Sequence, residues 1–181
     1  MKTIYTLCIC LFFVTSMHAQ DRYLTKNGSV TFFSSSPMED IKADNNQVLS
    51  IVDASNGNMA ISILMKSFLF KKALMQEHFN ENYVESDKYP KALFKGKILN
   101  FDAINKTTSK AKVEGTITIH GVAKPITINA NINRTADAIN MEGEFYVKVA
   151  DFNIKIPKVV VNNIAKNIKV TFQFNHKPYK K

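Results

Sequence analysis

Apolar and polar side chains alternate with period two through most of the chain, and the longest break lies in its middle. Period two places successive side chains on opposite faces of an extended backbone, so it calls for strands with one buried and one wet face. Met59, Ile61, Ile63 and Met65 share one face, and so do Ala92, Phe94, Gly96 and Ile98. Val113, Gly115, Ile117 and Ile119 follow, then Ile126, Ile128, Ala130 and Ile132. Ile139, Met141, Gly143, Phe145, Val147 and Val149 make a longer face, and Ile168, Val170, Phe172 and Phe174 close the series. The opposite faces are mostly Thr, Asn, Lys and Glu.

The break runs from Phe68 to Gly96. Lys72 to Phe79 contains good helix formers and neither Gly nor Pro. Met75, Phe79 and Tyr83 are four residues apart, so a helix lines them up as one apolar stripe. Asn80, Asn82, Ser86 and Asp87 supply turn chemistry, and Pro90 forces an extended Tyr89 before alternation resumes. The segment reads as a short helical cap, a lid over one end of a sheet protein.

Turn signals divide the rest. Tyr23 to Ser35 reads as two short extended pieces around Asn27-Gly28, a tight-turn dipeptide. Pro37 to Asn46 reads as a polar loop, and Ser55 to Asn58 as a hairpin turn. Asn105–Ser109, Gly121–Pro125 and Asn133–Ala138 are further turns. Asp151 to Ala165 is irregular, with Pro157 barring a central strand and Asp151 expected to cap a turn. The tail after His176 is expected to fray. The tally is about eight strands joined mostly by short turns, which suits a sandwich or an up-and-down barrel. Gly96, Gly115 and Gly143 on the apolar face favour the barrel, because they permit bending and are expected to leave space inside.

The 181 residues amount to one domain behind a removable start. Lys2 followed by the apolar run Ile4–Val14, shorter than the roughly 20 residues that span a bilayer, resembles an export signal with a cut after Ala19. The expected division is residues 1–19 as signal peptide and 20–181 as the domain, with a periplasmic or extracellular destination. Cys8 and Cys10 both lie in the signal, so the mature chain has no disulfide or thiol chemistry. The net charge is +9, and Lys2 supplies one of these, leaving +8 on the mature chain. Such a charge is compatible with peripheral contact at an anionic membrane surface. The lysines are spread singly along strands, which is the pattern of wet outer faces, and nucleic-acid motifs are absent.

No catalytic or metal constellation assembles. G-x-S-x-G, P-loop and H-E-x-x-H patterns are missing, and His78, His120 and His176 are far apart without ligand spacing. His78 belongs to a helix surface. His120, beside Gly121, belongs to a turn. No cofactor is expected. The apolar face, rich in Phe and Met, is the informative feature, and periodicity leaves open whether it is a filled core or a cavity wall.

Three stretches carry a resemblance to a known family. They are a His-Phe pair leading to Ser86-Asp87-Lys88-Tyr89-Pro90-Lys91-Ala92-Leu93-Phe94-Lys95-Gly96, then Glu114 to Ile128, and Val149 to Pro157. Their order and spacing resemble the YceI family across nearly the whole mature chain. Asn153 stands where the family's Asp-Phe-Gly-Ile stretch has Gly, and Val149-Ala150 stand where an arginine often precedes it. The resemblance implies an all-β, antiparallel, lipocalin-like barrel with an elongated cavity for an isoprenoid or other lipid chain. Under that reading the cavity wall is Met65, Phe68, Phe79, Phe94, Ile117, Ile119, Phe145, Phe172 and Phe174. Phe94 is the leading wall residue, and Lys71, Lys72 and Lys88 are the lysines nearest an anionic head group. The protein is then a non-enzymatic lipid-binding module. The alternatives are a secreted barrel enzyme with His78 as base, or a filled barrel acting as an interaction module.

Overall fold

The computed structural model describes residues 22–179. Residues 1–19, the expected signal peptide with Cys8 and Cys10, lie outside the described residues. Nine strands form one sheet: β1 (Arg22–Ser35), β2 (Asp40–Asp53), β3 (Asn58–Leu64), β4 (Leu69–Phe70), β5 (Lys91–Ile98), β6 (Ser109–Ile119), β7 (Val122–Arg134), β8 (Ile139–Lys148) and β9 (Asn167–Tyr179). The order is β1-β9-β8-β7-β6-β5-β3-β2-β4, and β1 also pairs with β2. That pairing closes eight antiparallel strands into a barrel, with the two-residue β4 attached to β2. The sandwich alternative is therefore excluded. Every long strand bonds to a neighbour on each side, although β7 and β8 bond to each other only over Ala130–Arg134 and Ile139–Gly143.

Alternation places the faces as expected. Ile98, Val113, Ile132, Ile139, Met141 and Phe174 are buried inside, and Lys95, Lys97, Glu114 and Glu142 are exposed outside. Between β3 and β5 the chain makes helix α1 (Ala73–His78), which continues through a single π-turn, Phe79–Tyr83. This is the cap expected from Met75, Phe79 and Tyr83.

Five expectations need correction. Asn27-Gly28 does not separate two strands. It sits in a bulge of the continuous β1, where the register to β2 shifts between Thr25 and Gly28 and again between Gly28 and Val30. Pairing to both β2 and β9 outweighs the local turn preference, and the dipeptide bends the strand instead. Most of Pro37–Asn46 is strand, because β2 begins at Asp40. Its polar residues find partners: Thr31 Oγ1 donates to Asp44 at 2.5 Å, and buried Asn45 donates to the Leu64 carbonyl at 3.0 Å. The chain beyond His176 is not frayed up to Tyr179, since Tyr179 pairs with Arg22.

The fourth correction concerns Gly121–Pro125. Only His120 and Gly121 form that turn, with φ of 51° and 74°, and Ile119 pairs directly with Val122. Positive φ at both central residues matches the twist of the flanking strands. Pro125 lies within β7 opposite Thr116. It is tolerated because β7 bonds to β8 only from Ala130 to Arg134, so no ladder bond is lost on that side. Asp151 is exposed within the 3-10 turn Val149–Phe152 and does not cap it.

Candidate functional site

The two ends of the barrel differ. At the lower end, the Phe101–Ala103 turn tucks Phe101 under the strands, with Ile98, Ile104, Ile132 and Ile139 around it, all buried. Arg134 lies 4.6 Å above the Phe101 ring and donates to the Ala54 carbonyl at 3.2 Å. His176, fully buried, holds Ile139 and Ser50: Nδ1 is 3.0 Å from the Ile139 carbonyl and Nε2 is 2.8 Å from Ser50 Oγ. The carbonyl only accepts, so Nδ1 carries the proton and Nε2 accepts from the Ser50 hydroxyl. Burial pushes the His176 pKa down to about 4, so the ring is neutral. The lower end is a plug.

The upper end holds a cavity of about 290 Å³. Its walls come from β1, β3, β5, β6, β8 and β9, through Val30, Ile63, Ala92, Ile117, Val147 and Val170. Its roof is the cap, through Phe68, Phe70, Met75, Phe79, Tyr83 and Val84. The segment 149–166 closes the remaining side with Ile154, Ile156, Val160 and Ile164. Polar side chains in the lining are few: Ser34, Glu39, His78, Tyr83 and Asn163. Burial raises the Tyr83 pKa, which keeps its hydroxyl neutral. A second chamber of about 60 Å³ lies deeper and shares Val30, Ile63, Ala92, Ile117, Phe145 and Val170 with the first.

The cap is held by aromatic rings. Phe79 lies 5.3 Å from Phe32, 5.8 Å from Phe68 and 5.1 Å from Phe70, centroid to centroid. Phe32 belongs to β1 and Phe70 to β4, so the cluster ties cap to barrel. Ion pairs add Lys66 to Asp87 at 2.5 Å and Lys72 to Glu39 at 2.6 Å. Both are exposed and worth little individually.

All nine residues expected to form the wall face the interior, but not in one chamber. Met65, Phe68, Phe79, Ile117, Ile119 and Phe145 line the upper cavity. Phe94, Phe172 and Phe174 line only the deeper one. The glycines account for the division. A Cβ on Gly115 would meet the Lys95 carbonyl and stand 2.7 Å from Phe94 Cζ, and one on Gly143 would stand 2.7 Å from Phe172 Cζ. The glycines therefore receive phenylalanine rings instead of leaving empty space, and the lower barrel is largely filled. Phe94 accordingly belongs to the floor and not to the upper wall. Val30, Phe32, Phe70, Met75, Val147 and Val170 also line the upper cavity. Val147 and Val170 were legible as apolar-face positions and Met75 as part of the cap stripe, whereas Val30 and Phe32 become lining residues through the bulge in β1 and Phe70 through the cap. Lys72 pairs with Glu39, and Lys88 lies 4.9 Å from the Tyr89 ring, so both have partners within the fold.

Among solved structures, a polyisoprenoid-binding domain from Saccharophagus degradans, implicated in plant cell wall breakdown, superimposes with a TM-score of 0.76 at 16% identity, covering 88% of this chain and 99% of that one. BcnA of Burkholderia cenocepacia gives 0.68 at 17% identity over 82% of this chain and 95% of that one. The YceI protein of Campylobacter jejuni gives 0.61 at 17% over 78% and 87%. These identities speak for the fold alone. No curated protein matches the chain. The model of the YceI-like domain matches residues 21–176. On that match, and with this barrel beneath it, the chain belongs to the YceI-like domain family.

Proposed function

We propose that the protein is an exported, non-enzymatic binding protein that holds one elongated apolar chain, isoprenoid or fatty-acid-like, in the upper cavity. The observation that carries this reading is the cavity itself: about 290 Å³, walled by aliphatic and aromatic side chains, with few polar groups in its lining. An eight-stranded barrel is wide enough for one slender ligand. Burying a methylene contributes about 0.8 kcal/mol, so ten methylenes offset much of the cost of association without any polar contact. The membership in the YceI-like family and the likeness to a polyisoprenoid-binding domain support the same ligand class. Met65, Phe68, Phe79, Ile117, Ile119 and Phe145 contact the chain, while Phe94, Phe172 and Phe174 form the floor on which its end rests. An anionic membrane surface, met peripherally, is where such a ligand is taken up and given back.

The test is organic extraction of the purified protein followed by mass spectrometry, together with uptake of a fluorescent isoprenoid probe. Val147→Phe projects a ring into the upper cavity from the part of β8 that does not bond to β7, where the backbone has room to adjust. Wild type should yield a lipid and take up the probe, and folded Val147→Phe should do neither. Absence of both from wild type sinks the proposal. Export is tested by the N-terminal mass of the secreted protein, which should begin at or near Gln20.

A further inference from the structure

We infer that the cavity mouth is a docking face for an anionic lipid bilayer, with Val159 and neighbouring apolar side chains entering the interface and the lysines of residues 152–166 meeting lipid phosphates. This rests on the lipid-holding reading of the cavity and names the surface through which it exchanges its ligand.

Among the described residues, the four most exposed aliphatic side chains belong to the segments around the cavity, while Tyr146, 62% exposed, lies on the outer face of β8. Val159 is 90% exposed, Met38 69%, Leu69 63% and Leu74 61%. Each is the sequence neighbour of a residue that lines the cavity: Val160, Glu39, Phe70 and Met75 respectively. They come from the β1–β2 turn, the cap and the 149–166 segment, which are joined into one rim. Lys72 of the cap pairs with Glu39 of the turn at 2.6 Å. The Ala165 amide donates to Ser34 Oγ of β1 at 2.8 Å, and the Val149 amide to the Lys166 carbonyl at 3.0 Å, which seals the base of the segment.

Charge separates a bilayer from other occupants. In the cap, residues 65–90, Lys66, Lys71, Lys72 and Lys88 are balanced by Glu77, Glu81, Glu85 and Asp87. Residues 152–166 carry Lys155, Lys158 and Lys166 and no carboxylate. Asp151 stands just before them, and Asp40 is held by Ser35. The most exposed apolar residue on the rim thus directly follows a lysine, in the sequence Lys158-Val159-Val160-Val161, with Lys155 just before. Apolar tips flanked by lysines suit the boundary between acyl chains and anionic headgroups. An apolar ligand that leaves the mouth against a bilayer also avoids exposing its methylenes to water.

The test is flotation of the mature protein with phosphatidylcholine vesicles, with and without phosphatidylglycerol. Wild type should float with the phosphatidylglycerol vesicles and lose partitioning as salt is raised. Lys155→Gln and Lys158→Gln should each weaken partitioning about fivefold. Val159→Glu should weaken it at least about tenfold. None of the three residues lines the cavity, so each variant should keep wild-type circular dichroism and probe uptake. Wild type that floats with neither vesicle, or Val159→Glu that floats like wild type, overturns docking. So does vesicle-free self-association that Val159→Glu abolishes, which would make the face an interface between copies. Docking failure with probe uptake intact leaves the cavity reading standing, and loss of probe uptake in wild type removes that reading whatever the flotation shows.

Discussion

His120 Nε2 lies 2.6 Å from Glu85 Oε2, and the other ring nitrogen of His120 lies 3.1 Å from the Phe152 carbonyl. One side chain on the β6–β7 turn thus clasps both covers of the cavity, the cap at Glu85 and the 149–152 turn at Phe152. Tyr89 packs on the same ring at 4.4 Å between centroids. His120→Ala removes the clasp while leaving the rest of the turn in place. Hydrogen exchange across residues 73–85 should quicken, whereas β6 from Val113 to Ile119 should keep its protection. Unchanged exchange in the cap would show that the clasp does not restrain it.

Phe79 is the centre of the ring cluster that seats the cap. It is only half-buried, so Phe79→Ala should cost about 2 kcal/mol, below the range for a fully buried ring. Probe release from the cavity should become faster than in wild type, read by stopped-flow dilution. Equal release rates would mean that the chain leaves by a route not guarded by the cap.

The Phe94 ring occupies the volume that side chains at residues 96 and 115 would need. Gly115→Ala should therefore destabilise by about 1–3 kcal/mol through overpacking, measured by urea denaturation. Adding Phe94→Leu should recover part of the loss and not all of it, because the Lys95 carbonyl also obstructs the new methyl group. Wild-type stability for Gly115→Ala would refute the close packing.

His176 makes stability depend on pH. Its ordinary pKa of 6.5 is lowered to about 4 in the fold by burial, only partly opposed by the bond to Ile139. Between these values the unfolded chain binds a proton that the folded chain does not. Stability from this group is therefore full above pH 6.5 and is lost as pH falls towards about 4. The loss amounts to about 3 kcal/mol. Denaturation midpoints at pH 7 and pH 4 should differ accordingly, and His176→Gln should flatten the difference. A slope as steep in His176→Gln as in wild type would assign the dependence to other groups.

Period-two alternation determined the strands and their inward faces, because the side-chain direction of an extended backbone reverses at every residue. The stripe Met75, Phe79, Tyr83 likewise determined the cap, since a helix returns to the same face after four residues. The extent of β1 and β2 was decided by pairing: Asn27-Gly28 and the polar run after Pro37 have turn and loop preferences, but strands bonded on both sides override them. Tertiary structure also decided where the space lies. Gly96, Gly115 and Gly143 look like gaps in sequence, yet Phe94 and Phe172 fold their rings over them, and the free volume moves up under Phe79. Alternation states which face a side chain occupies. It does not state how far along the barrel axis a ring extends, because that depends on which neighbouring strand offers it a glycine. The His120–Glu85 clasp and the buried Ser50–His176 pair have the same character: they join residues 35 and 126 positions apart, the first where the cap folds against the β6–β7 turn and the second across the barrel from β2 to β9.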